Sequence, residues 1–154
     1  MALQPSQAFQ VEHRRPAGKE APSLVLRHVQ SARTVELPGG VLEAQFEGER
    51  GYLIFTTEGH PQEEALFIHW LDRALHVEDG LEISADYTPG IFKDLTGASA
   101  DEGIVFSFFG DGKRWSVTVL KSPRWLMHPY PVKRKTPFWQ RSWLLVCSEA
   151  ATDP

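Results

Sequence analysis

The sequence predicts an all-β fold, an antiparallel β-sandwich or partly open barrel of eight to nine short strands built from consecutive hairpins, with two long loops. Three observations carry this. Beyond residue 22 apolar and polar residues alternate in short runs, the period of a half-buried strand. Gly, Pro and Asp separate the runs and supply turn geometry. Helical spacing is scarce: residues 70–81 carry a trace of it, but Gly80 and the alternation argue for strands.

The 154 residues suit one domain able to bury a core. Residues 1–22 are polar, hold three Pro and show no sustained period, so a mobile tail is expected. The β domain is expected over 23–148, with a C-terminal tail over 149–154. Its first strands are 24–29 and 34–37. A hairpin over 42–57 follows, turning at Gly48-Glu49-Arg50-Gly51, with Leu42, Ala44, Phe46, Leu53 and Phe55 on one face. A meander is read next: a strand over 64–71, a tight turn at Asp72-Arg73, a strand over 74–77, a turn at Glu78-Asp79-Gly80, and a return over 81–85. Those registers place Ile68, Trp70, Leu75, Val77, Leu81 and Ile83 together.

The loop over 86–103 is rich in Gly and turn formers and has room for a helical turn at 91–95; Asp101-Glu102 reads as its solvated tip. The firmest hairpin spans 104–120. Asp111-Gly112 suits a type I′ turn, which sets Ile104, Phe106 and Phe108 opposite Val119, Val117 and Trp115. The second loop, 121–141, contains four Pro, and its Trp125, Tyr130, Phe138 and Trp139 suggest that part of it packs down. Residues 142–148 are apolar on both sides, so a strand inside a sheet or covered by a loop is expected, with Cys147 as a small core residue.

Charge is divided unevenly. Residues 1–111 hold 18 acids against 8 bases, whereas 112–148 hold 8 bases and no acid, within a chain of net charge -4. Such a division points to an anionic partner. Trp115 and Trp143 belong to strands, which narrows the candidate surface to the 121–141 loop: Arg124, Trp125, Lys133, Arg134, Lys135, Trp139 and Arg141. Arg and Trp dominate interface energetics. The competing reading is that these bases face the domain's own acids. An acidic protein surface is the expected partner; nucleic acid is disfavoured by the negative net charge.

The alternative is a small-molecule-binding domain or enzyme. Its pocket would lie between the sheets, rimmed by 86–103 and 121–141 and lined by Tyr87, Trp125, His128 and Tyr130. The meander registers set His69 opposite His76 and His76 opposite Glu82, a spacing open to a metal ion or to acid–base chemistry. His128 is a further candidate. No nucleophile elbow, phosphate loop, dinucleotide fingerprint or HExxH helix is present, and no cofactor is expected. A non-catalytic domain is therefore the leading expectation. One cysteine, no apolar leader and no long apolar run lead to an expectation of a cytoplasmic protein without a membrane span.

Overall fold

A computed structural model describes residues 3–16, 18, 21–60, 63–85, 87–97, 103–110, 112–137 and 139–150. Thirteen strands follow one another: β1 Gln4–Pro5, β2 Phe9–Arg15, β3 Ser23–His28, β4 Thr34–Pro38, β5 Val41–Glu47, β6 Gly51–Thr57, β7 Leu66–Asp72, β8 Val77–Ile83, β9 Gly90–Gly97, β10 Gly103–Phe109, β11 Lys113–Arg124, β12 Val132–Arg134 and β13 Ser142–Ala150. The described residues contain no helix, and the strand pairs are antiparallel. They form open sheets ordered β1-β5-β6-β7-β8-β12, β13-β11-β10-β9 and β2-β3-β4, which makes a sandwich rather than a closed barrel.

The six-stranded sheet is covered on both faces. Leu53, Phe55, Ile68, Trp70 and Leu81 pack against Ile104, Phe106, Trp115, Val117 and Leu144 of the four-stranded sheet. On the opposite face Tyr52, Ile54 and Leu71 meet Phe9, Leu24, Leu26 and Leu37 of the three-stranded sheet. Side chains alternate along a strand, so β6 and β7 must be apolar at nearly every position to serve two layers. All seven β6 residues are buried. Each buried Leu or Phe contributes roughly 1.5–3 kcal/mol relative to exposure.

Several sequence expectations change. The polar stretch read as an N-terminal tail supplies β1 and β2, and Phe9 packs in the second core. The β10–β11 hairpin pairs Phe106 with Trp115 and Ile104 with Val117, two residues away from the expected register. A shift of two preserves the face of every side chain, so the predicted core set survives. Gly112 holds the left-handed φ of 77°, whereas Asp111 and the Asp101-Glu102 tip lie outside the described residues.

The expected meander is one hairpin. His69 pairs with Gly80 and Trp70 with Asp79, so Glu78-Asp79-Gly80 lies within β8 rather than in a turn. The connection runs through Leu75, at φ 68°, and its Leu75 side chain joins the second core while Val77 is exposed. The Asp72 carboxylate accepts the His76 N–H at 2.9 Å and holds this turn. A bulge between Leu42 and Ala44 sends Leu42 to the second core, away from Ala44 and Phe46.

Residues 91–95 form strand β9 instead of a helical turn. Phe92 turns inward onto Phe55, at 5.1 Å between centroids, while Ile91 and Leu95 are exposed. Gly90 is forced there, since a Cβ would lie 2.7 Å from the Phe108 ring. Finally, β13 is an edge strand. Leu144 faces the core, but Leu145 and Cys147 lie on the uncovered face of the four-stranded sheet, so Cys147 is exposed rather than buried. That strand extends to Ala150, into the expected C-terminal tail.

Candidate functional site

The expected 121–141 loop is partly strand. Its first four residues prolong β11, and β12 adds an edge to the six-stranded sheet by pairing with β8. That pairing decides the fate of the basic triplet. Lys133 stands opposite Glu82, with Nζ 3.9 Å from its carboxylate, and Lys135 Nζ is 3.3 Å from the same group. Lys135 also lies 6.0 Å from the Phe67 ring. Arg134 donates to the Gln140 carbonyl. The three residues that looked most like a docking cluster thus serve the domain's own structure.

Glu82, the acid the two lysines answer, lines a cavity of about 410 Å³ together with Glu58, Glu63, Glu64 and Lys133. Burial, then the neighbouring Glu82 and Glu64, raise the Glu58 pKa. Glu64 is held by the N–H groups of Gly59 and Ala65, at 3.0 and 3.1 Å.

The remaining bases meet where β11 ends and β13 begins. Arg124 pairs with Ser142, which sets Arg124 and Trp125 beside Arg141. The Arg141 guanidinium lies 5.7 Å from the Trp125 ring centroid, a cation–π contact. Trp125 is 62% exposed, Met127 97%, Tyr130 73% and Trp139 65%. Part of the segment packs down as expected, but not through these aromatics, which point outward; Phe138 lies outside the described residues. Val132, buried against Ile83, is what anchors the segment.

Arg50 is the site residue that sequence reasoning missed. It donates to the carbonyls of Leu120 and Lys121, at 2.8 and 3.1 Å, and lies between the rings of Trp70 and Trp143. Its one sequence signal is its place in the Gly48–Gly51 turn, which says nothing about a distant strand. The contact brings a further cation to the end of β11.

Asp79 fixes this corner from below. Its side chain is fully buried, and Oδ2 accepts the N–H groups of Trp143 and Leu144 at 2.8 and 2.9 Å. Oδ1 accepts from Gly80 N–H at 2.8 Å and the Thr136 hydroxyl at 3.4 Å. One carboxylate therefore ties β8 to the start of β13, next to Arg141.

The histidine row does not form. His69 faces the three-stranded sheet and is 3% exposed; His76 sits in the β7–β8 turn, away from its expected place opposite His69. Thr56 Oγ1 donates to the Pro38 carbonyl at 2.6 Å, which leaves it to accept the His69 Nε2–H at 2.9 Å. The imidazole is thus a neutral donor, and burial pushes its pKa down to about 3. An unfolded histidine binds a proton near pH 6.5, so the unfolded chain carries more protons between about pH 3 and 6.5 and stability falls as pH drops through that window. The expected loss between pH 6.5 and 4 is ~3 kcal/mol. Urea midpoints of wild type and His69→Gln across that range check it: the variant's acid limb should be the shallower.

His128 Nε2 lies 3.3 Å from the fully buried Ser142 hydroxyl, and burial, opposed by Asp79, lowers its pKa. Asp79 makes no hydrogen bond to it and engages its oxygens with backbone N–H groups and the Thr136 hydroxyl, so these three residues do not assemble a nucleophile. Asp72, His76 and Glu78 bring ligand atoms within 4.8 Å of one another. His76 Nδ1 and Asp72 already pair at 3.1 Å, and the group closes the turn.

The chain matches no known protein-family model, and no curated protein or solved structure shows significant similarity to it.

Proposed function

We propose that this chain is a non-catalytic binding domain whose Arg124–Trp125–Arg141 surface docks an acidic segment of a partner protein. The observation that carries the reading is the exposed Trp125 ring under the Arg141 guanidinium. Trp and Arg are among the residue types most enriched at binding hot spots. Arg124 adds a second cation, and residues 112–148 contain no acid that would repel a carboxylate. Exposed Met127 and Trp139 offer apolar contacts on the same segment. A polyanion such as nucleic acid fits less well, because its phosphates would meet the net charge of -4 beyond the patch. The single exposed Cys147 thiol suits a reducing compartment such as the cytoplasm.

The test is fluorescence anisotropy with a labelled Glu-rich peptide carrying one Leu and one Phe. Saturable binding should weaken with salt, as the screening length falls from ~8 Å at ~0.15 M to ~3 Å at ~1 M. Trp125→Ala and Arg141→Ala should each weaken it by about tenfold or more. Lys133→Ala should change it little, since Lys133 answers Glu82. Absence of binding, or wild-type affinity in both patch variants, contradicts the reading.

A further inference from the structure

The acidic cavity on the six-stranded sheet carries chemistry that the arginine–tryptophan surface does not use. The β6–β7 connection supplies Glu58, Glu63 and Glu64, and β8 supplies Glu82. Its volume of about 410 Å³ lies within the ~300–1,000 Å³ usual for ligand sites. A neighbouring cavity of about 460 Å³ shares Glu58 and Glu82 as walls. Neither cavity is lined by Arg124, Trp125 or Arg141, so the two surfaces are independent.

The walls indicate what would fit. Lys133 and Lys135 both reach Glu82, whereas Glu58, Glu63 and Glu64 form no ion pair with Lys or Arg among the described residues. Burial, then Glu82 and Glu64, hold the Glu58 carboxyl above its ordinary range, as expected where acids outnumber bases. Glu64 is 5% exposed, and its Oε1 accepts the Gly59 and Ala65 N–H groups. Its Oε2 accepts from no described residue and is not sealed from solvent, so it opens to the cavity that Glu64 lines. Buried carboxylate oxygens are mostly paired, and an unpaired one in a cavity wall is an acceptor for an incoming donor. Among the described residues only Asp72, His76 and Glu78 bring three ligand atoms within 4.8 Å of one another. The cavity glutamates therefore do not converge on one metal ion, and their charge calls for an extended cation.

We propose that this cavity binds a small organic diamine. One ammonium donates to Glu64 Oε2 beside Glu58, and the second reaches Glu63, which is exposed at the rim. The fold already seats ammonium groups against the same wall: Lys133 Nζ lies 3.9 Å and Lys135 Nζ 3.3 Å from Glu82. Hydrogen bonds from an ammonium to a carboxylate are about twice as strong as neutral ones, which gives an amine preference over an alcohol. A second charge on the ligand answers a carboxylate that a single charge leaves alone. Lys133 lines the cavity and competes for it.

Cadaverine, a five-carbon diamine, is the probe, titrated into the full-length protein by calorimetry beside pentylamine, with one charge, and the uncharged diol of the same length. Cadaverine is expected to bind one-to-one and about tenfold more tightly than pentylamine, and the diol should not saturate. Glu64→Gln keeps an oxygen for the Gly59 and Ala65 N–H groups while removing the charge, and should weaken cadaverine about tenfold. Glu58→Gln gives up no ion pair, so it should weaken cadaverine severalfold without lowering the thermal midpoint. Lys133→Ala removes the competing ammonium and should bind cadaverine at least as tightly as wild type. Absence of saturable binding, equal affinity for cadaverine and pentylamine, wild-type affinity in both glutamine variants, or weaker binding in Lys133→Ala would each overturn the proposal. Displacement of cadaverine by an equal concentration of magnesium would also overturn it, since a diffuse negative field would then suffice. None of these outcomes touches the acidic-peptide surface, which is read by Trp125→Ala and Arg141→Ala.

Discussion

Asp79→Ala is expected to destabilise the fold by about 3–5 kcal/mol, measured as the shift in urea unfolding free energy. The carboxylate is fully buried and accepts from three backbone N–H groups and one hydroxyl. Truncation leaves the Trp143 and Leu144 donors in the interior without a partner, and each unpaired buried donor costs about 1–3 kcal/mol. Domains of this kind are stable by only ~5–15 kcal/mol, so the variant sits near the edge of folding. Asp79→Asn keeps one acceptor oxygen and should lose less. The effect should also reach the surface: β13 begins at the residues Asp79 holds, and Arg141 immediately precedes it. A loss below about 1 kcal/mol would show that water replaces the carboxylate at this corner.

Phe55→Ala is the second large effect, again about 3–5 kcal/mol. Phe55 is fully buried at the centre of the sandwich, and its ring lies 6.0 Å from Phe46, 5.1 Å from Phe92 and 5.6 Å from Phe106. It joins β5, β6, β9 and β10, so its removal opens a cavity that three other rings line and cannot collapse into together. Part of the loss is transferred surface and part is the void, and the second depends on how far the neighbours relax. Phe55→Leu should lose less than half as much. Thermal midpoints of the pair, read with equal denaturant slopes, separate a cavity effect from a change in the unfolded state.

What could be read from the chain followed from parity. The β10–β11 core set was legible although the register was not, because a two-residue shift leaves Phe106 and Trp115 on the face the alternation assigns. The strands over 24–29 and 34–37 were legible for the same reason, and they became β3 and β4. Parity fails where one residue is inserted: the bulge beyond Leu42 leaves no mark on the local pattern. It also fails where a polar residue works as core. Asp79 beside Gly80 has the composition of a turn, and only the distant N–H groups of β13 turn that pair into mid-strand.

The second layer hid the rest. His69 alternates with Trp70 as an outward-facing residue should, yet the three-stranded sheet covers that face and Thr56 completes its hydrogen bond. Charge density in the sequence marked one segment but could not tell which of its bases the fold itself engages. Lys133 and Lys135 are adjacent in number to Arg134 and look like a cluster, while the acid that engages them lies on β8. Arg124 and Arg141 are far apart in sequence, and the β11–β13 pairing is what brings them to one ring.

The most direct test of the proposed binding surface uses the five tryptophans as separate reporters. Each indole N–H gives its own nuclear magnetic resonance signal in ¹⁵N-labelled protein, and the five sit in different environments: Trp70 and Trp115 in the core, Trp143 beside Arg50, Trp125 under Arg141, and Trp139 exposed. Titration with the Glu-rich peptide should shift the Trp125 indole together with the backbone amides of Arg124 and Arg141, and leave Trp70 and Trp115 in place. Shifts confined to other residues, or a Trp125 signal that does not move at saturating peptide, would contradict the account.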